Sequence, residues 1–474
     1  MCPHIPLLSA QPHRGLTMTT IPQKRRIWGW MMFDWASQPY NTLLLTFIFG
    51  PFFAEMVFDR LTAAGMDAAA ARAEAQAYWG YGLTTAGLLI AVLAPILGSI
   101  ADSTGRRMPW IRVFSVLYVV GAAGLWLMAP GSFSIPVVLF FFGIGLIGME
   151  FATIFTNALL PSLGNKAEIG RISGSGWAWG YLGGVIALAI MLLLFAENDA
   201  GVTFIGIEPL LGLDPAAREG TRFVGPFAAA WFAIFMIPFF LWVKETPGAT
   251  ATGASIAAGL SDLWKTIRGL PRHVSLAAYL GSSMFYRDAL NGMYTFGGIY
   301  ALGVLGWSVV DIGIFGIMAA ITGAIFAWIG GRADSAFGPK PVIVVSIVVL
   351  VGVAITIVAI SREAVFGIEL APGSTLPDTL FYVCGALIGA AGGALQSASR
   401  TMMVRQADPD RMTEAFGLYA LAGKATTFLA PALIAITTDL TGSQRLGVTP
   451  LIALFLAGLV LLVWVTPDRE HEGA

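Results

Sequence analysis

The chain has 474 residues, of which 57% are hydrophobic and only 12% charged, and its formal net charge is -1. So large an apolar share excludes a freely soluble globular protein, and so even a charge balance leaves no basic surface for nucleic acid. Cys2 and Cys384 are the only cysteines, which excludes a disulfide framework or a cysteine-based metal site.

From the N-terminus, "MCPHIPLLSAQPHRGLT" lacks the basic start and long apolar region of a signal peptide. Residues 1–23 are expected to form a disordered tail, with Met18 as the true start. Apolar runs follow. Phe114 to Glu150, for example, holds no Lys, Arg, Asp or Glu between its ends. A run of about 20 apolar residues is long enough to cross a bilayer as a helix. Six spans are expected near 28–57, 79–101, 110–129, 136–160, 173–195 and 223–243. The polar stretch 244–272 interrupts as a linker. Six more spans are expected near 274–303, 311–330, 341–360, 379–399, 412–438 and 449–466, and 467–474 forms a tail. The expectation is therefore an all-α polytopic membrane protein with six-helix halves at 24–243 and 273–466.

Lys and Arg set the orientation. Of the 27 in the chain, Arg60, Arg72, Arg218, Arg222, Arg362 and Arg445 fall in one set of loops, and Arg287 and Lys424 fall inside spans. All the others lie in the termini, the linker and the opposite loops. Both termini are expected to be cytoplasmic.

The two halves repeat each other. "GSIADSTGRRMP" (98–109) joins spans two and three, and "GGRADSAFGPKP" (330–341) joins spans eight and nine. In the first copy Gly98 lets two helices approach closely, and Gly105 supplies a turn with positive φ. Asp102 can accept backbone N–H groups at a helix start, and Arg106 and Arg107 anchor the loop in the interface. The second copy places Asp334 and Lys340 correspondingly, but has Gly338 one position late and Pro339 before Lys340. "GRISGSGWAWGYLGG" (170–184) and "DRMTEAFGLYALAG" (410–423) likewise open spans five and eleven, with Arg171 and Arg411 at matching places. Parallel repeated halves with a site between them are a transporter architecture.

The duplicated loop resembles the signature of the major facilitator superfamily. "FDWASQPYNTLLLTFIFGPFF", "NALLPSLGNKAEIGRISGSGWAWGYLGG", "YRDALNGMYTFGGIYALGVLGWS" and "SRTMMVRQADPDRMTEAFGLYALAGKATTFLAP" narrow the resemblance to the "unknown major facilitator" branch, related to fungal autophagy-linked vacuolar effluxers. The resemblance covers residues 24 to 466. It implies twelve transmembrane helices in the major facilitator fold, alternating access, a monomer, and a small-molecule substrate, with amino-acid efflux by analogy to the fungal relatives. It also implies that Asp102 and Arg106 help latch the cytoplasmic side, and it places the chain in a bacterial inner membrane. The implied partners are the lipid bilayer and the solute, and protons are a further expectation that rests on Glu150 and Asp288; no cofactor or metal is implied.

Charges inside the spans are costly in hydrocarbon and so are candidates for the site. Glu150 lies midway along span four with no neutralising neighbour in its own helix. It is read either as a structural pair or as a substrate or proton site. Arg287 and Asp288 are adjacent in span seven, so they point about 100° apart on the helix. Arg287 is expected to meet a substrate carboxylate or Glu150, since a guanidinium binds carboxylates bidentately. Lys424 lies too deep to reach either surface easily, and a pair with an acid of the other half is its sharpest reading. Its surroundings, "LAGKATT", fail as a phosphate loop because Leu418 and Ala425 stand where Gly and Ser or Thr are needed. Gln38, Asn41, Asn157, Asn291, Tyr294 and Gln396 are candidate polar lining.

Asp34 has no charged neighbour before Glu55, a gap whose length at about 1.5 Å per residue spans the hydrocarbon core of about 30 Å. It is therefore expected at the cytoplasmic edge, in the first turns of its helix, as an inner-gate contact with a basic group. Glu150 and Asp288 take the proton-coupling role instead. The function expected is secondary transport of a small organic solute. A non-transporting receptor or scaffold is the alternative. An enzyme is disfavoured, since no His-Glu-x-x-His, Gly-x-Ser-x-Gly or Cys/His cluster occurs.

Overall fold

The computed structural model describes residues 21–198, 200–245, 256–307 and 309–467. The expected start at Met18 and nearly all of both expected tails lie outside the described residues, as does 246–255 of the linker. In hydrocarbon each backbone N–H and C=O must be bonded within its own segment, and the described chain is accordingly almost wholly helical. One small hairpin, Ala364–Val365 with Ile368–Glu369, is the only sheet among the described residues.

Eleven described helical segments are long and apolar enough to cross a membrane. They are α1 (Gln23–Ala63), α2 (Ala68–Thr104), α3 (Met108–Leu127), α4 (Ile135–Ser162), α5 (Lys166–Leu194), α6 (Glu219–Trp242), α8 (Asp311–Phe337), α9 (Pro339–Ala359), α10 (Leu376–Gln406), α11 (Pro409–Thr441) and α12 (Gln444–Trp464). Between α6 and α8 lies α7 (Val274–Leu305), a 32-residue helix. At about 1.5 Å per residue α7 is also long enough to cross. It is less apolar, because Ser, Asn and Tyr residues accompany Arg287 and Asp288. The twelve spans expected from the sequence thus correspond to eleven described helices apolar enough to cross by composition and to α7, which is long enough to cross.

Local chemistry sets the ends. Asp67 caps α2 by accepting from the N–H groups of Ala69 and Ala70. Asn165 and Glu168 form a capping box at the start of α5. Gly105 ends α2 at φ 64°, in the left-handed region expected of it. Several helices are interrupted in ways the sequence reading missed, among them α1 and α11. After Pro39, α1 widens into a π-turn over Tyr40–Phe47, and the N–H of Ile48 bonds the carbonyl of Leu43. Within α11, the helix ends at Ala425 and restarts at Leu429.

Both described chain ends lie on one face. Gln23 donates to the Leu163 carbonyl in the α4–α5 turn at 2.9 Å, and Lys340 at the start of α9 donates to the Val465 carbonyl at 2.7 Å. The linker is partly helical, over Ile256–Gly269, and lies against α2 on this terminal face.

The two halves close together on the terminal face along two seams, α2 with α11 and α5 with α8. Without a hydrophobic force between helices in lipid, close van der Waals contact must hold them, and glycine permits it. A Cβ on Gly98 would come within 2.6 Å of the Thr413 carbonyl oxygen, and one on Gly417 within 2.6 Å of that of Ala94. At the other seam, a Cβ on Gly331 would meet the Gly170 carbonyl oxygen at 2.6 Å. These contacts are to backbone, which cannot swing aside. Gly417→Leu should therefore force the α2–α11 seam apart. The expected result is a loss of about 1–3 kcal/mol, the range for overpacking a filled site, together with new alkylation of a cysteine placed at Thr413. Unchanged melting and no alkylation would show that the seam is looser than drawn.

Candidate functional site

Polar contacts between the halves form three layers, rising from the terminal face toward the membrane centre. The lowest surrounds Asp102. One carboxylate oxygen accepts from Arg107 Nη2 at 2.8 Å, and the other accepts from the backbone N–H of Glu414 at 2.8 Å, in the first turn of α11. Arg107 Nε also donates to the Thr413 hydroxyl at 2.7 Å, so the α2–α3 turn grips the start of α11 twice. Glu245, after α6, accepts from the backbone N–H groups of Arg107 and Met108 and fixes that turn. Arg411 donates to Glu414 and to the hydroxyl of Thr266, tying the linker helix into the same layer. The partner of Asp102 is therefore Arg107. Arg106, implied for the latch, is exposed and makes no ion pair among the described residues.

The middle layer is centred on Arg400 of α10, whose side chain is 4% exposed. Its Nη1 lies 3.0 Å from Asp34 of α1 and 3.2 Å from the Asn157 side-chain oxygen of α4. Its Nε donates to the Ser173 hydroxyl at 2.9 Å, and its Nη2 to the Ser173 carbonyl at 2.7 Å, both on α5. The guanidinium also lies over the rings of Trp30 and Trp177. Every acceptor belongs to the first half. The expected place of Asp34 in the first turns of its helix is thus corrected. Because α1 begins at Gln23, Asp34 lies about 16 Å along it at about 1.5 Å per residue, beyond the reach of the helix N-terminal dipole. It is 14% exposed, and its basic contact is Arg400.

The upper layer holds the intramembrane charges. Lys424 Nζ lies 2.7 Å from Glu150 Oε1, with side chains 27% and 24% exposed, so this pair is accessible where the Arg400 layer is not. Arg287 does not bond Glu150. Its Nη1 donates to the Tyr419 carbonyl at 2.9 Å and its guanidinium lies over the Tyr419 ring, although the Glu150 charge acts on it. Asp288, 2% exposed, accepts from the N–H of Ala430 at 2.8 Å and so caps the outer segment of α11 at its break. Gln396 of α10 donates to the Tyr181 hydroxyl of α5 at 2.9 Å, another bond between halves, and the Tyr294 hydroxyl lies beside that of Tyr181. Asn291 is exposed, and Gln38 and Asn41 are half-buried.

Asp334 and Lys340 do not copy the latch. Lys340 is held by the Val465 carbonyl of its own half, and Asp334 is wholly buried with neither oxygen hydrogen-bonded. Sequence reasoning missed Arg400, which it counted with the terminal-face cations, as well as Glu245, Ser173 and Tyr419. For Arg400 a signal was available: it lies in "QSASR", six residues before α10 ends, amid small residues typical of a buried helix face. No group of three or more His, Cys, Asp or Glu suited to a metal occurs among the described residues.

A family profile described as "Vacuole effluxer Atg22 like" matches residues 22–474. The chain is 25% identical over 447 residues to an uncharacterized MFS-type transporter of Bacillus subtilis, covering 94% of this chain and 95% of that one. It is 24% identical to autophagy-related protein 22-2 of Emericella nidulans over 64% of this chain, and spans only 52% of that fungal protein's length. Among solved structures it superposes on the human organic anion transporter MFSD10 with a TM-score of 0.68 at 17% identity, covering 93% of this chain and 99% of that one. A bacterial homologue of the iron transporter ferroportin, solved facing outward, gives 0.65 at 14% identity, covering 93% and 98%. These likenesses establish the major facilitator fold.

The middle layer yields a test. Removing one member of a buried pair strands the other charge, at a cost of about 3–5 kcal/mol, whereas replacing both with apolar groups costs much less. Arg400→Met alone should lower the melting temperature sharply, and Asp34→Leu with Arg400→Met should recover most of the loss. Additive losses in that double-mutant cycle would mean that the two side chains are not coupled.

Proposed function

The chain belongs to the family of vacuole effluxer Atg22-like proteins and is a multi-pass membrane transporter of the major facilitator fold, and from that premise we propose that it exports a small zwitterionic amino acid by alternating access. The observation that carries this reading is the Glu150–Lys424 pair, which joins the halves at 2.7 Å beside Arg287. A free amino acid presents an ammonium and a carboxylate. Its ammonium would replace Lys424 at Glu150. Its carboxylate would take the released Lys424 and the donors of Arg287 that Tyr419 leaves free, where bidentate geometry favours Arg. The solute thus exchanges one bond between the halves for two bonds to itself, which is how binding can lower the barrier to their movement.

The tight terminal face supports a state closed on that side, in which the solute would reach the Glu150–Lys424 pair from the other. The excess of Lys and Arg on the terminal face supports its being cytoplasmic, in a bacterial inner membrane. Gln38, Asn41, Asn291 and Tyr294 are proposed as neutral lining for the rest of the solute. Asp34, Asp102 and Arg107 are proposed as gate contacts, with Gly98 and Gly105 as their spacers. Of the proton-coupling candidates, Glu150 is favoured over Asp288, because its partner is an exchangeable side chain rather than a helix-capping amide. The chain is proposed to act as a monomer, since each layer is complete within one copy.

Counterflow of labelled amino acids into liposomes holding the purified protein, with and without a pH gradient, tests this reading. At least one amino acid should accumulate, and Lys424→Met should abolish the accumulation while the protein stays folded. No flux for any amino acid would remove the amino-acid reading. Full proton dependence in Glu150→Gln would remove Glu150 as the carrier.

A further inference from the structure

The two seams come from one repeated motif but differ in chemistry. At α2–α11, the regular helix of α11 begins only at Met412, so the N–H of Glu414 has no partner within the helix and is taken by Asp102. At α5–α8, Asp334 faces Gly170, where a Cβ would lie 2.7 Å from its carboxyl carbon. Here α5 has already run for a turn from Lys166 under its own Asn165–Glu168 capping box. Its early amides are occupied, and the Arg171 N–H that does reach across goes to the Ser335 hydroxyl at 2.9 Å. Asp334 arrives at a helix with no donor to offer.

The other neighbours do not supply one. The Thr401 hydroxyl of α10 lies beside Asp334 but forms no hydrogen bond with it, and it bonds the Ser397 carbonyl at 3.3 Å instead. Arg405, also of α10, acts on Asp334 from a distance and forms no ion pair with it, and its own Nε is buried without a partner. On α5, Glu168 and Arg171 pair with each other at 3.8 Å, toward solvent. On α8 itself, Arg332 is exposed over the Trp328 ring, and on α9 Lys340 is held by Val465. Asp334 is 0% exposed and both its oxygens lack a hydrogen-bond partner. A buried carboxylate needs donors around it. A carboxylic acid carries its own, and the Thr401 oxygen beside it can accept it.

We propose that Asp334 is a proton-binding site: the closed α5–α8 seam holds its carboxyl as the neutral acid, with the hydroxyl donated to Thr401, and opening the seam ionises it. On opening, the O–H bond breaks, the proton passes to water at the terminal face, and the carboxylate remains with that water and with Arg405. The seam is therefore a pH sensor for the compartment at the terminal face. Acid there holds the seam closed, and alkali favours opening. This extends the alternating-access reading above and rests on it for its consequence in transport, but the protonation itself requires no solute.

Infrared spectroscopy on the full-length protein in lipid nanodiscs, without any solute, tests the site directly. At neutral pH the wild type should show a protonated-carboxyl C=O band that is lost in Asp334→Asn and unaffected by Asp102→Asn, whose two oxygens already accept from Arg107 and the Glu414 N–H. If Asp334→Asn does not fold, Asp334→Glu should shift the same band. Spin labels at Arg171→Cys and Arg332→Cys should report a seam that opens as the pH is raised, and adding Asp334→Asn should abolish that response. A band indifferent to both Asp334 substitutions, or a pH response that survives Asp334→Asn, would overturn the proposal. Failure of amino-acid counterflow with the band in place would defeat only the substrate reading, and loss of the band with counterflow intact would defeat only this one.

Discussion

A guanidinium cannot shed its charge, so a buried one must find acceptors for its hydrogens or not be buried at all. Arg400 meets that requirement with Asp34, Asn157 and the hydroxyl and carbonyl of Ser173, and all of them belong to the opposite half. The halves can then separate at this level only by exposing Arg400 to water or to another set of acceptors. The layers on either side inherit that constraint. Below it lies the Asp102 latch; above it lies the Glu150–Lys424 pair, which is accessible where Arg400 is not.

Glycine packing and backbone capping complete the closure, and both suit a contact that must also come apart. Close helix contact in lipid gains dispersion energy but no hydrophobic term, so it is modest and reversible. A carboxylate bound to a helix N-terminus is similarly a bond that can be made and broken without rearranging the helix. The two seams spend the same ancestral motif differently. In one, a late helix start leaves an amide for Asp102. In the other, an early start sealed by its own capping box leaves Asp334 with nothing to accept.

Much of this architecture was legible in the sequence, because its signals are lengths, apolar runs and repeated turns. The repeat of Gly-x-x-x-Asp marked two corresponding turns and a close helix approach at Gly98, and Gly105 carried its own backbone geometry. The charges of the upper layer could be identified because isolated ionisable residues in apolar helices stand out. Their pairing could not, since Arg287 and Lys424 were equally plausible partners for Glu150, and only the rotation of α11 decides between them. Asp34 was placed too near the helix start because its distance was counted forward to Glu55, while α1 in fact begins well before Trp28 and runs on through a π-turn. Arg400 was hidden by being basic near a basic loop, where composition cannot distinguish a surface cation from a buried one. Arg106 was overrated for the complementary reason, as adjacent arginines look alike until the turn chooses which one faces inward.

The break in α11 leaves α7 holding both of its parts. Arg287 bonds the Tyr419 carbonyl of the inner segment, which is also fastened to α2 through Gly417 and Glu414, and Asp288 caps the outer segment at Ala430. Adjacent residues of one helix thus fix the two sides of the interruption at Thr426–Phe428. Lys424 stands two residues before it, so the stretch of chain that carries the cation facing Glu150 is anchored at both ends by α7.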